Sequence, residues 1–260
     1  MRFNDLDGII DEFYDPRASP ADSRRYFLNA PGSAADAWIV EPEWAGCVDV
    51  TKVVTDRESI TLGFDGSRKR ARGVTDATAL IACRLSDGHL FELGVWEQPP
   101  GPAGDDWQVP VAEVEAAVHQ AFDRYSVVGF YADPAKWESY VAGWEAKYHS
   151  RLKAKATREH PVQWWMTGGR AAQTVRALEQ FQSAVIDHEL THDGSYALTR
   201  HVLNARRRPS RAGLQVAKEH PDSARKIDAA IAAVLAWQAR VDAVAAGATV
   251  KTNAIPRRIR

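Results

Sequence analysis

The chain has few cysteines and no long apolar run, and both absences narrow its class. Its 260 residues include two cysteines, Cys47 and Cys83, which excludes a disulfide framework and a multi-cysteine zinc site and fits a reducing compartment. No apolar run approaches the roughly 20 residues of a membrane span. The acidic N-terminal sequence MRFNDLDGIIDEF does not resemble a signal peptide. We therefore expect an intracellular soluble protein without a membrane partner.

Net charge is almost absent as well. Lys and Arg number 33 against 34 Asp and Glu, a formal net charge of −1, so overall charge neither favours nor excludes nucleic acid as a partner. The basic residues are clustered at 68–72, 151–158, 206–211 and 257–260. One such cluster is usually a solvated surface, but four in a neutral chain indicate a surface that could face phosphates.

Composition and apolar patterning divide the chain into three parts. Residues 1–55 are rich in Pro, Gly, Ser and Asp and have no sustained period, which predicts an irregular arm packed in part through Trp38 and Trp44. Residues 56–243 carry the regular patterns and form the predicted domain. Residues 244–260 form a basic tail that we expect to be disordered.

Within the predicted domain, strands and helices follow a definite order. Strands are predicted at 59–65, 77–85, 89–97, 126–132 and 161–166. Helices are predicted at 111–125, 134–148, 170–187, 195–205 and 222–243, the last with Asp222 or Ser223 as its N-cap. Three antiparallel strands followed by alternating helices and strands describe an α/β protein with a mixed five-stranded sheet flanked by helices. This is the element order of the RNase H-like fold.

Three aspartates stand out by their positions. Asp65 ends the first predicted strand, Asp133 ends the fourth, and Asp228 lies on the apolar face of the last predicted helix. Asp65 and Asp133 each have an ordinary alternative, as a turn residue and as a helix N-cap. A buried carboxylate such as Asp228 needs a cation or a hydrogen-bond donor, and Arg225 or Lys226 could supply one. In an RNase H-like sheet, however, the three positions converge.

Converging carboxylates suit hard divalent cations such as Mg²⁺ or Mn²⁺. Two such ions roughly 4 Å apart can activate a water and stabilise the departing 3′ oxygen during phosphodiester cleavage. If Asp65, Asp133 and Asp228 converge, their cluster would suit two-metal phosphodiester hydrolysis.

Several segments resemble the C-terminal nuclease domain of the large terminase subunit of tailed bacteriophages. They are GFDGSRKRARGVTDATALIACRL (63–85), VVGFYADPAKW (127–137), HDGSYALTRHVLNARRR (192–208) and KEHPDSARKIDAAIAAVLA (218–236). RRYFLNAPGSAADAWI (24–39) resembles the stretch that joins the ATPase and nuclease portions in this family. The resemblance covers residues 24–242, and the order and spacing of the segments carry it more than any single motif.

The resemblance implies a metal-dependent endonuclease that cuts concatemeric double-stranded phage DNA during genome packaging, in the cytoplasm of the infected bacterial host. It places the metal ligands at Asp65, Asp133 and Asp228. Possible auxiliary residues are Asp76, His192 and Asp193. The implied DNA contacts are Arg68, Lys69, Arg70, Arg72, Arg206, Arg207 and Arg208. The implied partners are a terminase ATPase domain or subunit, the small terminase subunit and the portal protein.

The nucleotide-binding motif G-x-x-x-x-G-K-[ST] does not occur in the chain. A complete large terminase carries a packaging ATPase, so we expect that activity on a removed domain or a separate gene product. This chain alone is expected neither to hydrolyse ATP nor to translocate DNA.

Three other classes remain as alternatives. His188-Glu189-Leu190-Thr191-His192 matches the zinc-protease motif H-E-x-x-H, which requires a continuing helix, but Asp193 and Gly194 should break one. Another RNase H-fold nuclease, of the resolvase or integrase kind, would prefer branched DNA or join DNA ends. A non-catalytic DNA-docking module of the packaging motor would bind DNA without cutting it.

Overall fold

A central five-stranded sheet organises the chain. The structure, a computed structural model, describes residues 36–67, 75–104, 106–211, 213–220 and 223–249. The strands are β1 (Ser59–Asp65), β2 (Thr78–Arg84), β3 (His89–Trp96), β4 (Ser126–Ala132) and β5 (Thr191–His192). Their order is β4-β1-β2-β3-β5. β2 is antiparallel to both neighbours, whereas β4 and β5 lie parallel to β1 and β3. The predicted mixed sheet of an RNase H-like α/β fold is confirmed.

Helices cover both faces of this sheet. They are α1 (Glu41–Ala45), α2 (Val111–Arg124), α3 (Glu138–Tyr148), α4 (Ala171–Ile186), α5 (Tyr196–Asn204) and α6 (Asp228–Ala245). A separate hairpin of β6 (Arg206–Ser210) and β7 (Gly213–Ala217) follows α5, and the sequence pattern did not predict it. Among the described helices, none is both long and apolar enough to cross a membrane.

Two apolar clusters lie on the two faces. The alternation along β1 directs Ile60, Leu62 and Phe64 into a cluster with α2 and α3. The other cluster contains most of α6 together with residues of α4 and α5. Trp38 and Trp44 are buried in this second cluster, as predicted for the N-terminal segment. Residues 1–35 and 250–260 lie outside the described residues, and with them most of the predicted tail.

Helix α6 crosses β1 at unusually short range. A Cβ atom on Gly63 would lie 1.9 Å from the backbone oxygen of Ala232 and 2.4 Å from the nitrogen of Ala236, so only glycine fits there. The hydroxyl of Thr61 donates to the carbonyl of Ala236 at 2.7 Å. Small residues on both elements therefore allow the helix to lie directly on the strand.

The fifth strand differs from the prediction. Segment 161–166 forms a single bridge, between Ala132 and Gln163, because its backbone hydrogen bonds reach β4 only at Ala132. The fifth strand is instead Thr191–His192, beside β3. The two tryptophans of the segment also differ, since Trp164 is buried and Trp165 is 43% exposed.

Two helices begin later than predicted. Lys136 has a φ of 67°, which is incompatible with a helix, so α3 starts at Glu138 and not at Pro134. Helix α6 starts at Asp228 with Ile227 as its N-cap. The predicted N-cap Ser223 lies outside the helix, and Asp222 lies outside the described residues.

Candidate active site

Two of the predicted ligands follow neighbouring parallel strands. Asp65 is the last residue of β1, and Asp133 comes directly after β4. The backbone amide of Asp133 donates to the carbonyl of Phe64 at 3.0 Å, which continues the pairing of β1 with β4. The carboxyl ends of the two strands therefore place these aspartates side by side.

The third predicted ligand reaches the same place from the helix layer. Asp228 is the first residue of α6 and is 8% exposed. Asp65, Asp133 and Asp228 line one cavity of about 290 Å³, together with Asp76. We call this cavity the acidic pocket. The other residues that line it are Met166, Thr167, Thr174, Leu178, Gln215, Val216, Lys218, Ile227 and Ile231.

Asp65, Asp133 and Asp228 all have raised pKa values. Burial raises the pKa of Asp65 well above its usual range, and the charges of Asp228, Asp133 and Asp76 raise it further. Burial also raises the pKa of Asp133, although a hydrogen bond from the amide of Ala135 opposes the shift. Burial, followed by the charge of Asp76, raises the pKa of Asp228. The pocket therefore has a surplus of negative charge.

One carboxylate oxygen in the pocket is buried and needs a binding partner. Oδ2 of Asp228 is buried and has no hydrogen-bond partner within the described part of the chain. A buried polar atom without a partner costs roughly 1–3 kcal/mol, and more when it is charged. The atom therefore points to a cation or a donor that binds in the pocket.

Asp76 is the exception among the four acids, because lysines hold it. Its carboxylate accepts from Nζ of Lys218, and Nζ of Lys226 lies 3.6 Å from the same oxygen. Lys226 is buried and also donates to the carbonyl of Thr75. Sequence reasoning considered Lys226 as a partner of Asp228. It missed Lys218, which follows the unpredicted hairpin.

The pocket is not a closed metal cage. Within the described ranges, no group of three or more His, Cys, Asp or Glu side chains forms a ready-made metal site. The donor chemistry nevertheless fits a hard divalent cation, because the pocket offers carboxylate oxygens, among them the buried Oδ2 of Asp228.

The other predicted auxiliary residues lie in structural contacts. His192 is buried, stacks on Trp44 with ring centroids 4.0 Å apart, and accepts from the amide of Gly194 through Nδ1. Asp193 accepts from the amides of Glu92 and Ser195. Neither residue lines the acidic pocket.

The H-E-x-x-H match is not a helical metal site. Helix α4 ends at Ile186, and His188 has a φ of 54°. His192 belongs to strand β5. The two histidines therefore do not share a helix face, which the zinc-protease geometry requires.

The predicted DNA-binding arginines divide into two groups. Arg206 donates to the carbonyls of Leu203 and Ala205, and Arg208 donates to the carbonyl of Glu219. Arg207, on the opposite face of the strand, is exposed. The other four, Arg68, Lys69, Arg70 and Arg72, lie outside the described residues, and their contacts stay a prediction.

The amino-acid sequence of this chain is similar to those of phage proteins. The chain is 40% identical over 249 aligned residues to the Gene 13 protein of Mycobacterium phage D29, and the match covers 91% of this chain and 40% of that protein. The chain therefore spans about 40% of the length of the curated relatives it matches. No family model matches it.

Solved structures give the fold. The large terminase of bacteriophage HK97 matches with a TM-score of 0.51 at 15% identity, covering 85% of this chain and 47% of that one. The large terminase nuclease from thermophilic phage G20c matches with a TM-score of 0.44 at 11% identity, covering 75% and 97%. The likeness to HK97 confirms the predicted resemblance to phage large terminases at the level of the fold. The chain is thus an RNase H-like α/β protein with phage relatives.

Proposed function

We propose that this chain is the nuclease part of a phage DNA-packaging terminase. In this proposal it is a divalent-metal-dependent endonuclease that cuts double-stranded DNA concatemers during genome packaging. The observation that carries the proposal is the convergence of Asp65, Asp133 and Asp228 in one pocket, where a buried oxygen of Asp228 has no partner among the described residues. The fold shared with the HK97 large terminase and the phage relatives support it.

The proposed cofactors are two Mg²⁺ or Mn²⁺ ions held by Asp65, Asp133 and Asp228. When bound, such ions activate a water and stabilise the departing 3′ oxygen of a phosphodiester. Mg²⁺ usually keeps several waters and takes other ligands from substrate phosphates. A pocket with a few carboxylates therefore suits it better than a closed cage.

The chain's own residues prepare this pocket in two ways. The amide of Ala135 donates to Oδ1 of Asp133 at 3.1 Å and fixes the orientation of that carboxylate. Lys218 and Lys226 balance the charge of Asp76. Asp65, Asp133 and Asp228 therefore keep raised pKa values, as expected for carboxylates that a divalent cation would stabilise.

The proposed substrate contacts are to the DNA backbone. Arg207 is the exposed arginine of β6, and β7, its partner strand, contributes Gln215 and Val216 to the acidic pocket. Phosphate contacts of this kind position a duplex without reading its sequence. We include Arg68, Lys69, Arg70 and Arg72 in the proposed contact set on sequence grounds alone.

The proposed partners follow from the longer relatives. This chain matches 40% of the length of the phage D29 protein, so we propose that a packaging ATPase, as a domain or a subunit, works with this nuclease. The small terminase subunit and the portal protein complete the proposed set, in the cytoplasm of the infected bacterium.

The test is cleavage of supercoiled plasmid in Mn²⁺, in Mg²⁺ and in EDTA. We expect wild type to nick and linearise the plasmid only with metal, and Asp228→Asn to lose at least 100-fold of that rate. Asp87→Asn is the matched control, since Asp87 is a carboxylate at the opposite end of the sheet and should leave the rate unchanged. Wild type that binds the plasmid but cuts it in neither metal would contradict the nuclease proposal and favour a docking module.

A further inference from the structure

The N-terminus of α6, which carries Asp228, is held by a neighbouring helix. Its N-cap residue is Ile227, which makes no side-chain capping hydrogen bond, and the first amides of a helix need acceptors from elsewhere. The amide of Ala230 uses the carbonyl of Ile227 at 2.9 Å. The amide of Ala229, next to Asp228, donates to Nδ1 of His201 at 2.9 Å. A side chain of α5 thus caps α6.

The hydrogen bond that Nδ1 of His201 accepts defines which ring nitrogen carries the proton. His201 is fully buried, and its Nε2 lies 2.9 Å from Oε1 of Glu97. Because Nδ1 accepts from the amide of Ala229, Nδ1 carries no proton, so the ring proton is on Nε2, the nitrogen that faces Glu97. Glu97 directly follows β3, and Arg200 binds it at 2.5 Å. The Glu97 carboxylate is therefore held as an acceptor.

A second contact holds the segment that leads into α6. The side-chain amide of Asn204, also on α5, donates to the carbonyl of Lys226 at 3.0 Å. Two side chains of α5 therefore bind the backbone on either side of Asp228. Close polar contacts therefore connect the residue after β3, helix α5 and the start of α6.

We propose that His201 and Glu97 are positioning residues for Asp228. They hold the first turn of α6 so that the Asp228 carboxylate faces the other acids of the pocket. Neither side chain lines the pocket, so both act through the backbone of α6. The inference rests on the proposed metal-dependent function, since a cation is what the positioned carboxylate would bind. Loss of such supporting hydrogen bonds typically costs 10–100-fold in metal affinity.

The test compares two substitutions of His201 by titration with Mn²⁺. His201→Phe removes the acceptor, and we expect Mn²⁺ affinity to fall at least 10-fold. His201→Asn places an amide oxygen where Nδ1 stands, and we expect affinity within about 3-fold of wild type. His119→Phe is the control, because His119 bonds Tyr148 away from the pocket. Folded His201→Phe protein with wild-type affinity would overturn the proposal.

The tautomer of His201 gives a test that needs no variant. Long-range ¹H–¹⁵N spectra of wild-type protein should show the proton of His201 on Nε2, and a proton on Nδ1 would overturn the proposal even if His201→Phe fails to fold. Plasmid cleavage distinguishes a failure of the nuclease proposal from a failure of the positioning proposal. Wild type that binds Mn²⁺ in the predicted way but cuts no DNA would contradict the nuclease proposal alone. Plasmid cleavage by wild type with unchanged metal affinity in folded His201→Phe would contradict the positioning role alone.

Discussion

Carboxylates at the two ends of the central sheet have pKa shifts of opposite sign. At the β2–β3 turn, Asp87 accepts two hydrogen bonds from Arg84, at 2.8 and 2.7 Å, and Nζ of Lys52 lies 2.9 Å away. Burial acts to raise the pKa of Asp87, but these bonds outweigh it and hold the pKa well below its usual range. At the other end of the sheet, where β1 ends, burial and neighbouring acids raise the pKa of Asp65.

The difference shows which end of the fold is built for stability. A carboxylate with its own cations contributes to folding, whereas a buried carboxylate among like charges opposes it. Groups with strongly shifted pKa values are common at functional sites. The acidic pocket therefore destabilises the folded protein when no cation is bound. A bound divalent cation would restore the lost stability.

The largest expected effect comes from removing the close approach of α6 to β1. In Gly63→Ala the new methyl would overlap the backbone of Ala232, which must push α6 and Asp228 away from the sheet. We expect a loss of 3 kcal/mol or more in unfolding free energy, in the range of strong overpacking. Urea denaturation measures it. The control Gly143→Ala, on an exposed helix face with open space around it, should instead gain about 0.5–1 kcal/mol. Equal effects of the two substitutions would contradict the close-packing argument.

The second effect is a gain in stability at the acidic pocket. Without metal, Asp65→Asn removes a buried charge that its neighbours repel, so we expect the variant to be about 1–2 kcal/mol more stable than wild type in EDTA. Thermal unfolding with and without Mn²⁺ measures it. Mn²⁺ should raise the Tm of wild type and leave that of the variant almost unchanged. A less stable variant in EDTA would mean that the pocket is not strained.

A smaller loss is expected at the opposite end. Asp87→Asn removes a carboxylate bound by Arg84 and Lys52, and because its side chain is about one third exposed, solvent reduces the effect to about 1 kcal/mol. Urea denaturation measures it, and plasmid cleavage should not change. Loss of cleavage in this variant would mean that Asp87 affects the acidic pocket. That would contradict the contrast between the two ends of the sheet.

The two ends should also respond to pH with opposite signs. The folded pKa of Asp87 is lowered, so its contribution is present above the unfolded pKa of about 4 and is lost as the pH falls. The folded pKa of Asp65 is raised, so its penalty is absent below about pH 4 and grows as the pH rises. Thermal unfolding in EDTA from pH 3 to 7 should show the difference between wild type and each variant widening with pH, with opposite signs. A difference of the same sign for both variants would contradict this assignment.

Sequence patterns predicted the elements that carry the site better than those around it. β1 and β4 were predicted residue for residue, because their apolar runs end at Asp65 and Asp133. The hairpin β6–β7 was missed, since RRRPS has no apolar alternation and is a strand only through its pairing with β7. Because this hairpin was not predicted, Lys218, which follows it, was not recognised as a partner of Asp76.

The positioning contacts were beyond sequence reasoning for a different reason. His201 is separated by 104 residues from Glu97 along the chain, and only the packing of α5 between β3 and α6 brings them together. The start of α6 was misplaced because Asp222 and Ser223 are good N-caps by type. The actual cap comes from another helix, which local sequence does not reveal.

The most direct test of the central claim is calorimetric titration of Mn²⁺ into metal-free wild type, Asp228→Asn and Asp87→Asn. If the three aspartates form a metal site, wild type and Asp87→Asn should bind Mn²⁺ with similar affinity, and Asp228→Asn should bind at least 10-fold more weakly. Equal binding by all three proteins would contradict the claim that the acidic pocket holds the metal.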